Sequence, residues 1–439
     1  MDTTVTARAG SESAPQPTFA EALKVWARIG LTSFGGPAGQ IALMHRTLVD
    51  EKKWIDEQRY LSALNFCMLL PGPEAMQLAT YVGWRLHGLK GGLAAGLLFV
   101  LPGALVVLTL SMLYAAFGKL PIAEALFVGV KAAVLAIVIE ALLRVAKRSL
   151  KGNIEWLIAG AAFVGIFLLK VPFPLIVAAA ALVGFWRSRG QSASAGVPPA
   201  GVPTLATLRT AASWLAIWIV PLLIVAAVFG KGHVLAEIGW FFSKLAVVTF
   251  GGAYAVLAYM AQDVVEHYRW LRPGEMLDGL GLAETTPGPL ILVTEFVGFL
   301  AAFREGGGNP WAMGLLGAAV TLWATFAPCF LWIFVGAPYI ERLNAEPRLR
   351  SALAAVTAAV VGVILNLTVW FALQVLFAHV GEWRIGPLHV LTPDPATLSF
   401  KTLALSVLAA VLLFLLHRGV MTTLAICSAI ALAWYALGW

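Results

Sequence analysis

Long apolar runs, broken by short polar or Gly- and Pro-containing stretches, set the plan of this chain. Runs such as Gly91 to Phe117, Ile154 to Trp186, Ala211 to Gly230 and Ala312 to Gly336 lack period-2 alternation and exceed the roughly 9 to 11 residues of a membrane strand. They suit helices instead, which need roughly 20 apolar residues to cross a bilayer. The pattern predicts an all-α, polytopic transmembrane helical bundle. Spans fall near 20–45, 59–87, 91–117, 121–146, 154–170, 172–186, 211–230, 236–260, 275–302, 311–338, 350–378, 398–416 and 419–438, thirteen in all. The run 154–186 is divided because 33 helical residues would measure about 50 Å against a hydrocarbon core of ~30 Å.

Composition agrees with this plan. Of 439 residues, 60% are hydrophobic and 12% charged, against about 25% charged in soluble domains. The net charge of +7 does not point to nucleic acid, because Lys and Arg gather at the ends of apolar runs, where the positive-inside rule places them. The first residues have neither a basic start nor an apolar stretch, so no cleaved signal peptide is expected and residues 1–19 read as a cytosolic tail. Cys67, Cys329 and Cys427 sit inside apolar runs, and His87, His233, His379 and His417 lack partners at ligand spacing, so neither a metal nor a cofactor is expected. Trp186, Trp240, Trp383, Trp434 and Trp439 stand at run ends, where interface anchoring explains them.

The chain repeats itself. A shift of 216 residues lays Phe34-Gly35-Gly36 on Phe250-Gly251-Gly252 and Pro71-Gly72-Pro73 on Pro287-Gly288-Pro289, with twelve matches in forty positions, more than apolar composition supplies. Pro102 similarly corresponds to Pro328. The expected organisation is a tail (1–19), a first repeat (20–186), a flexible linker (187–210), a connecting transmembrane helix (211–230) and a second repeat (231–439). With seven crossings before the second copy, the two halves take inverted topology. The distribution of Lys and Arg places the N-terminus in the cytoplasm and the C-terminus outside.

Gly and Pro inside apolar helices free backbone groups that cannot face lipid and are tolerated where protein buries them or a wet cavity receives them. Paired breaks in both halves point to a transport site, and a helix restarting after a break offers N–H groups and a positive dipole end to an anion. The breaks supply Gly35, Gly36, Pro71, Gly72, Pro73, Gly251, Gly252, Pro287, Gly288 and Pro289 as candidates for substrate binding, with Ser33, Gln77, Thr249, Thr285 and Thr286 beside them. Arg28 and Lys244 stand at matched positions six residues before each Phe-Gly-Gly, and cations inside spans need a partner or a task. Glu74, Glu284 and Glu295 are candidates to carry a coupling proton. Lys131 is a weaker candidate, and Glu140 with Arg144 has the i, i+4 spacing of a simple ion pair. Ordinary kinks and snorkelling are the competing explanations.

Phe34-Gly35-Gly36-Pro37, Trp54, the run Phe66 to Glu74 with its Pro-Gly-Pro, Gln77-Leu78-Ala79 and Tyr81-Val82-Gly83-Trp84 resemble the signature of the chromate ion transporter family in its long, two-domain form. The second half departs from it, with Leu290 and Val293 where the first has Glu74 and Gln77. The resemblance implies a secondary transporter in the bacterial inner membrane that exports chromate and confers resistance, driven by membrane potential or a proton gradient. Outward movement of a dianion from an inside-negative cell gains about 4.6 kcal/mol per 100 mV, twice the value for one charge, and no Walker A motif is present. A sulfate or other oxyanion carrier, a channel and, remotely, a polytopic membrane enzyme are the alternatives. Expected partners are the oxyanion and the lipid bilayer; a homodimer is compatible with the sequence.

Overall fold

The computed structural model describes residues 17–34, 36–188, 204–248, 250, 253–340 and 346–438. Gly35, Thr249, Gly251, Gly252 and most of the expected linker lie outside the described residues. Sixteen α-helices are described. The first copy holds α1 (Phe19–Thr32), α2 (Gly36–His45), α3 (Glu57–Leu69), α4 (Glu74–Phe117), α5 (Pro121–Ser149), α6 (Asn153–Phe167) and α7 (Phe173–Arg187). After α8 (Thr204–Phe229) the order returns as α9 (Val234–Val248), α10 (Ala253–Gln262), α11 (Pro273–Glu284), α12 (Val293–Glu305), α13 (Pro310–Gly336), α14 (Pro347–Leu376), α15 (Phe400–Ala410) and α16 (Val420–Ala436). Even the wide π-type turns recur, at Arg46–Glu51 after α2 and Asp263–His267 after α10.

Short polar signals start these helices. Thr18 Oγ1 accepts the N–H of Glu21 at 3.2 Å and Asp56 Oδ1 that of Arg59 at 2.8 Å, satisfying donors that a helix N-terminus leaves unpaired. Pro121 and Pro347, each at the first turn of its helix, open the matched pair α5 and α14, where a missing N–H costs nothing. Among the described residues, five helices are long and apolar enough to cross a membrane: α4, α5, α8, α13 with its short extension, and α14.

The segments expected to cross once at 20–45, 59–87, 236–260 and 275–302 instead fold back at their breaks. Lys52, beyond α2, pairs with Glu21 at the start of α1 at 3.0 Å, so both ends of α1–α2 lie together. The first arm of α4 returns to the same place, because His87 Nε2 lies 3.0 Å from the Pro17 carbonyl while Glu57 of α3 lies 2.5 Å from His45. In the second copy Arg304 at the end of α12 grips Glu275 at the start of α11 through two 2.9 Å bonds. Phe241 of α9 packs on Tyr268 and Trp270, which follow α10. The physical reason is length: fourteen residues of α1 reach about 21 Å, short of a ~30 Å core, and Gly or Pro at the break permits reversal.

Helix α4 bends a second time at His87 and Gly88 (φ 61°), where its arms touch backbone to backbone at Gly83 and Gly91. The run 154–186 forms two antiparallel helices, since Arg187 at the end of α7 bonds Glu155 at the start of α6 at 3.0 Å.

The copies are intertwined. Helix α5 of the first packs on α15 and α16 of the second, α14 packs on α6 and α7, and α5 and α14 pack on each other. Small residues allow this closeness: a Cβ on Gly129 would strike the Cys427 carbonyl, and one on Gly362 the Ala159 carbonyl.

One element departs from the all-α expectation. Between α14 and α15 an antiparallel hairpin, β1 (Val380–Ile385) and β2 (Leu388–Pro393), turns at Gly386 (φ 60°). The His389 N–H fastens it to the Leu168 carbonyl at 2.8 Å. Glu382 on the hairpin accepts from His389 and from Arg384, and these bonds hold its carboxyl below the usual range.

Candidate functional site

The Pro-Gly-Pro break of the first copy opens onto a cavity of about 170 Å³. Gly72 (φ 115°) adopts a backbone conformation open to glycine, and a Cβ there would press on Gln77 Nε2 and Cys329 Sγ. Gln77, fully buried on α4, donates Nε2–H to the Pro71 carbonyl at 2.6 Å, so a carbonyl freed by the break has a donor. Leu70, Gly72 and Glu74 line the cavity, as do Pro37 and Ala38 from the first turn of α2 and Tyr254 from the first turn of α10. Three of the four restarting helices therefore begin at its wall, with Pro73 as the N-cap residue of α4.

Positive charge comes from α5. Arg144 and Arg148, one turn apart, line the cavity with Glu74, and the charges of Arg148 and Glu74 act on each other. Arg144 also bonds Glu140. Tyr254 donates its hydroxyl to Glu284 at 2.8 Å, which joins a second carboxyl to the same wall. The geometry brings two guanidinium groups and the positive ends of three helices to one wall, a setting that suits an anion.

The second copy's Pro-Gly-Pro break is closed. The Gly288 N–H donates to the Ser33 carbonyl at 2.9 Å, and Gln40 Nε2 donates to the carbonyls of Gly288 at 2.5 Å and Ser33 at 3.3 Å. Gly103 of α4 packs against the Pro287 carbonyl, and Pro289 has no N–H to offer. Thr285 and Thr286 give their hydroxyl hydrogens to Leu282 and Ala283 carbonyls at 2.7 and 2.9 Å, leaving none for an anion. The expected ring of four open breaks is thus one open break, one sealed break and the first turns of α2 and α10. Ser33 is fully buried, its Oγ without a hydrogen-bond partner among the described residues.

The remaining candidates lie elsewhere. Arg28 is exposed on α1 and is not on the cavity wall. Lys244 lines a separate cavity of about 800 Å³ with Lys170, Asp263 and the hairpin, its Nζ 5.6 Å from the Tyr259 ring centre. The matched positions of Arg28 and Lys244 do not bring the two charges to one site. Glu295 is 1% exposed, with Oε2 unpartnered among the described residues. Lys131 pairs with Asp278 at 3.2 Å, and Tyr114 donates to the same carboxyl at 2.8 Å.

Arg148 and Asp278 were not singled out as site candidates by sequence reasoning, and Arg144 was read there only as half of a local ion pair. For the arginines the signal was their helical spacing on one face with Glu140; for Asp278 it was a lone acid in an apolar run.

The Chromate transporter family model matches residues 20–185 and again 236–434, the two copies on either side of α8. A chromate transport protein of Cupriavidus metallidurans is 33% identical over 381 residues, covering 84% of this chain and 86% of the relative. One from Pseudomonas aeruginosa is 33% identical over 385 residues, covering 86% and 87%. An uncharacterised transporter of Methanocaldococcus jannaschii is 26% identical over 367 residues, covering 83% and 85%. No solved structure matches the chain. Two matches along one chain, on copies whose helices follow the same order, place this multi-pass membrane protein in the chromate transporter family.

Proposed function

We propose that the protein is a secondary transporter that exports chromate from the cytoplasm, holding the dianion in the cavity between Arg144, Arg148 and the starts of α2, α4 and α10. The observation that carries this reading is the convergence of both arginines with three helix starts on one cavity wall. Membership of a family of transport proteins favours transport over an enzymatic activity.

Nine helices cross the membrane in this reading: the second arm of α4, then α5 to α8 and α13 to α16, with α15 extended by its last turn. Four folded-back pairs enter halfway, two from each side, and the copies are inverted. The α1–α2 reversal brings Arg46, Lys52, Lys53 and Arg59 to the side of Arg85, Lys90, Lys147, Lys151 and Arg187. That concentration of cations makes this face, with the N-terminus, cytoplasmic, and puts the C-terminus outside. The cavity then faces the cytoplasm, and the inside-negative potential drives the dianion outward by about 4.6 kcal/mol per 100 mV.

Glu74, Glu284 and Glu295 are the carboxyls through which protons would couple. Glu74 stands at the anion wall and Glu284 behind it on Tyr254, where a proton removes repulsion toward the dianion. Glu295 pairs with no cation among the described residues, so its ion would be buried without compensation. Gln77 and Ser33 shape the breaks from behind, and Lys244 lies on the release side.

Chromate flux into everted vesicles from cells bearing the wild-type chain or Arg144→Gln/Arg148→Gln tests the site. Saturable uptake lost in the variant supports it, and equal uptake contradicts it. Sulfate in excess decides between a chromate carrier and a broader oxyanion carrier, since both ions are tetrahedral dianions.

A further inference from the structure

The repeat lets every surface of one copy be compared with its counterpart in the other, and one matched pair of surfaces differs. Gln58, Ser62 and Asn65 form a polar stripe on α3 that runs toward the Pro-Gly-Pro break. They face Arg350 and Thr357 of α14 across a cavity of about 630 Å³ whose wall, among the described residues, holds no carboxylate. Met68 and Thr357 belong to this cavity and to the arginine cavity alike, so the two spaces adjoin.

In the second copy the shift of 216 carries Ser62 to Asp278, Leu61 to Leu277 and Asn65 to Gly281 on α11. The shift of 226 that aligns Pro121 with Pro347 carries Thr357 back to Lys131 on α5. There the surfaces are shut. Asp278 and Lys131 pair at 3.2 Å, and the missing side chain of Gly281 lets Val130 seat on the α11 backbone. Leu277 is 0% exposed whereas Leu61 is 44% exposed. Helix α11 packs on α5, while a cavity lies between α3 and α14.

We infer that these surfaces are the two mouths of one transport path: a cytoplasmic mouth at α3–α14, open here and a first binding site for a tetrahedral oxyanion, and an outer mouth at α11–α5, locked by Asp278 and Lys131. The inference rests on the transporter reading above. Outward opening exchanges the two states: Asp278 leaves Lys131, and Ser62 closes on Thr357. Gln58 and Asn65 stand where α11 has Gly274 and Gly281, so the cytoplasmic mouth closes over polar side chains rather than on bare backbone. Among the described residues, the free-ended polar groups an anion passes before Arg148 are the carboxamides of Gln58 and Asn65 and the guanidinium of Arg350, donors that can replace part of an oxyanion's water.

The test uses the full-length chain with Cys67, Cys329 and Cys427 replaced by Ala. Bridging Ser62→Cys to Thr357→Cys with a short bifunctional thiol reagent should stop chromate flux. The same bridge should make Leu277→Cys at least tenfold more reactive toward a membrane-impermeant maleimide from the outer face. Bridging Lys131→Cys to Asp278→Cys should also stop flux but leave Asn65→Cys labelled from the cytoplasmic face. Flux through either bridged protein at the unbridged rate, or Leu277→Cys labelling unmoved by the Ser62–Thr357 bridge, overturns the inference. Labelling needs no substrate, so a chain that carries no chromate would refute the substrate reading while the maleimide result still decides the two mouths. If the Lys131/Asp278 variant fails to accumulate, the Ser62/Thr357 bridge decides alone.

Discussion

The N–H of Gly288 reaches the carbonyl of Ser33 at 2.9 Å, tying the Pro-Gly-Pro break of one copy to the Phe-Gly-Gly break of the other. Two interrupted helices thereby satisfy each other where no water or lipid group can, which is the condition for irregular backbone at membrane depth. Gln40 completes the knot by donating to both carbonyls.

Gln40→Leu should therefore destabilise the fold. It leaves the Gly288 carbonyl buried without its side-chain donor, a loss of about 1–3 kcal/mol. Thermal unfolding of the detergent-solubilised protein checks this. Gln40→Glu, which keeps the size but cannot donate when ionised, should be at least as damaging, and an unchanged melting temperature for both would show that the knot does not need this side chain.

Gly103→Val should be worse tolerated than Gly160→Val. The first adds bulk against the Pro287 carbonyl, whereas a Cβ at Gly160 meets nothing within 4 Å. Overpacking costs about 1–3 kcal/mol, so membrane abundance of the Gly103 variant should fall while that of the Gly160 variant stays near wild type.

Arg148→Gln should raise the KM for chromate about 10- to 100-fold at unchanged abundance, the range expected when a hydrogen bond to a charged group worth about 1.5–3 kcal/mol is lost. Arg148→Lys keeps the charge without the planar fork and should lie between. Initial rates in everted vesicles over a range of chromate concentrations give both values.

Glu74→Gln should do the opposite at neutral pH. Removing a carboxyl from the wall that holds Arg148 should lower the KM and flatten its dependence on pH, because a proton on Glu74 no longer has repulsion to relieve. A KM and pH profile equal to wild type would take Glu74 out of the site.

The breaks were legible in the sequence because Gly and Pro interrupt apolar runs at the same spacing twice. Their folding back was not: a run such as 20–45 has the length of a crossing, and only the Lys52–Glu21 contact reveals that it returns. The same limit hid which break is open, since Pro71-Gly72-Pro73 and Pro287-Gly288-Pro289 are the same tripeptide. What differs is the partner that long-range packing supplies, a cavity for Gly72 and Ser33 for Gly288. Arg144 read as half of a local ion pair because Glu140 is one turn away, and the pairing is present. The cavity beside it is built from α2, α3, α4, α10 and α14, which no local spacing encodes. Asp278 and Lys131 are 147 residues apart, beyond the reach of any periodicity. The hairpin at Val380–Pro393 lies between two apolar runs, where Gly386 and Pro387 offered a turn that the search for spans passed over.

The central claim is that the arginine cavity carries chromate outward, and chromate accumulation by everted membrane vesicles, measured with and without an inside-positive potential, tests it most directly. The expected result is saturable accumulation that rises with the imposed potential, collapses on adding an uncoupler and is lost in Arg144→Gln/Arg148→Gln present at wild-type abundance. Accumulation by that variant at the wild-type rate, or none by the wild type under any potential, would contradict the account.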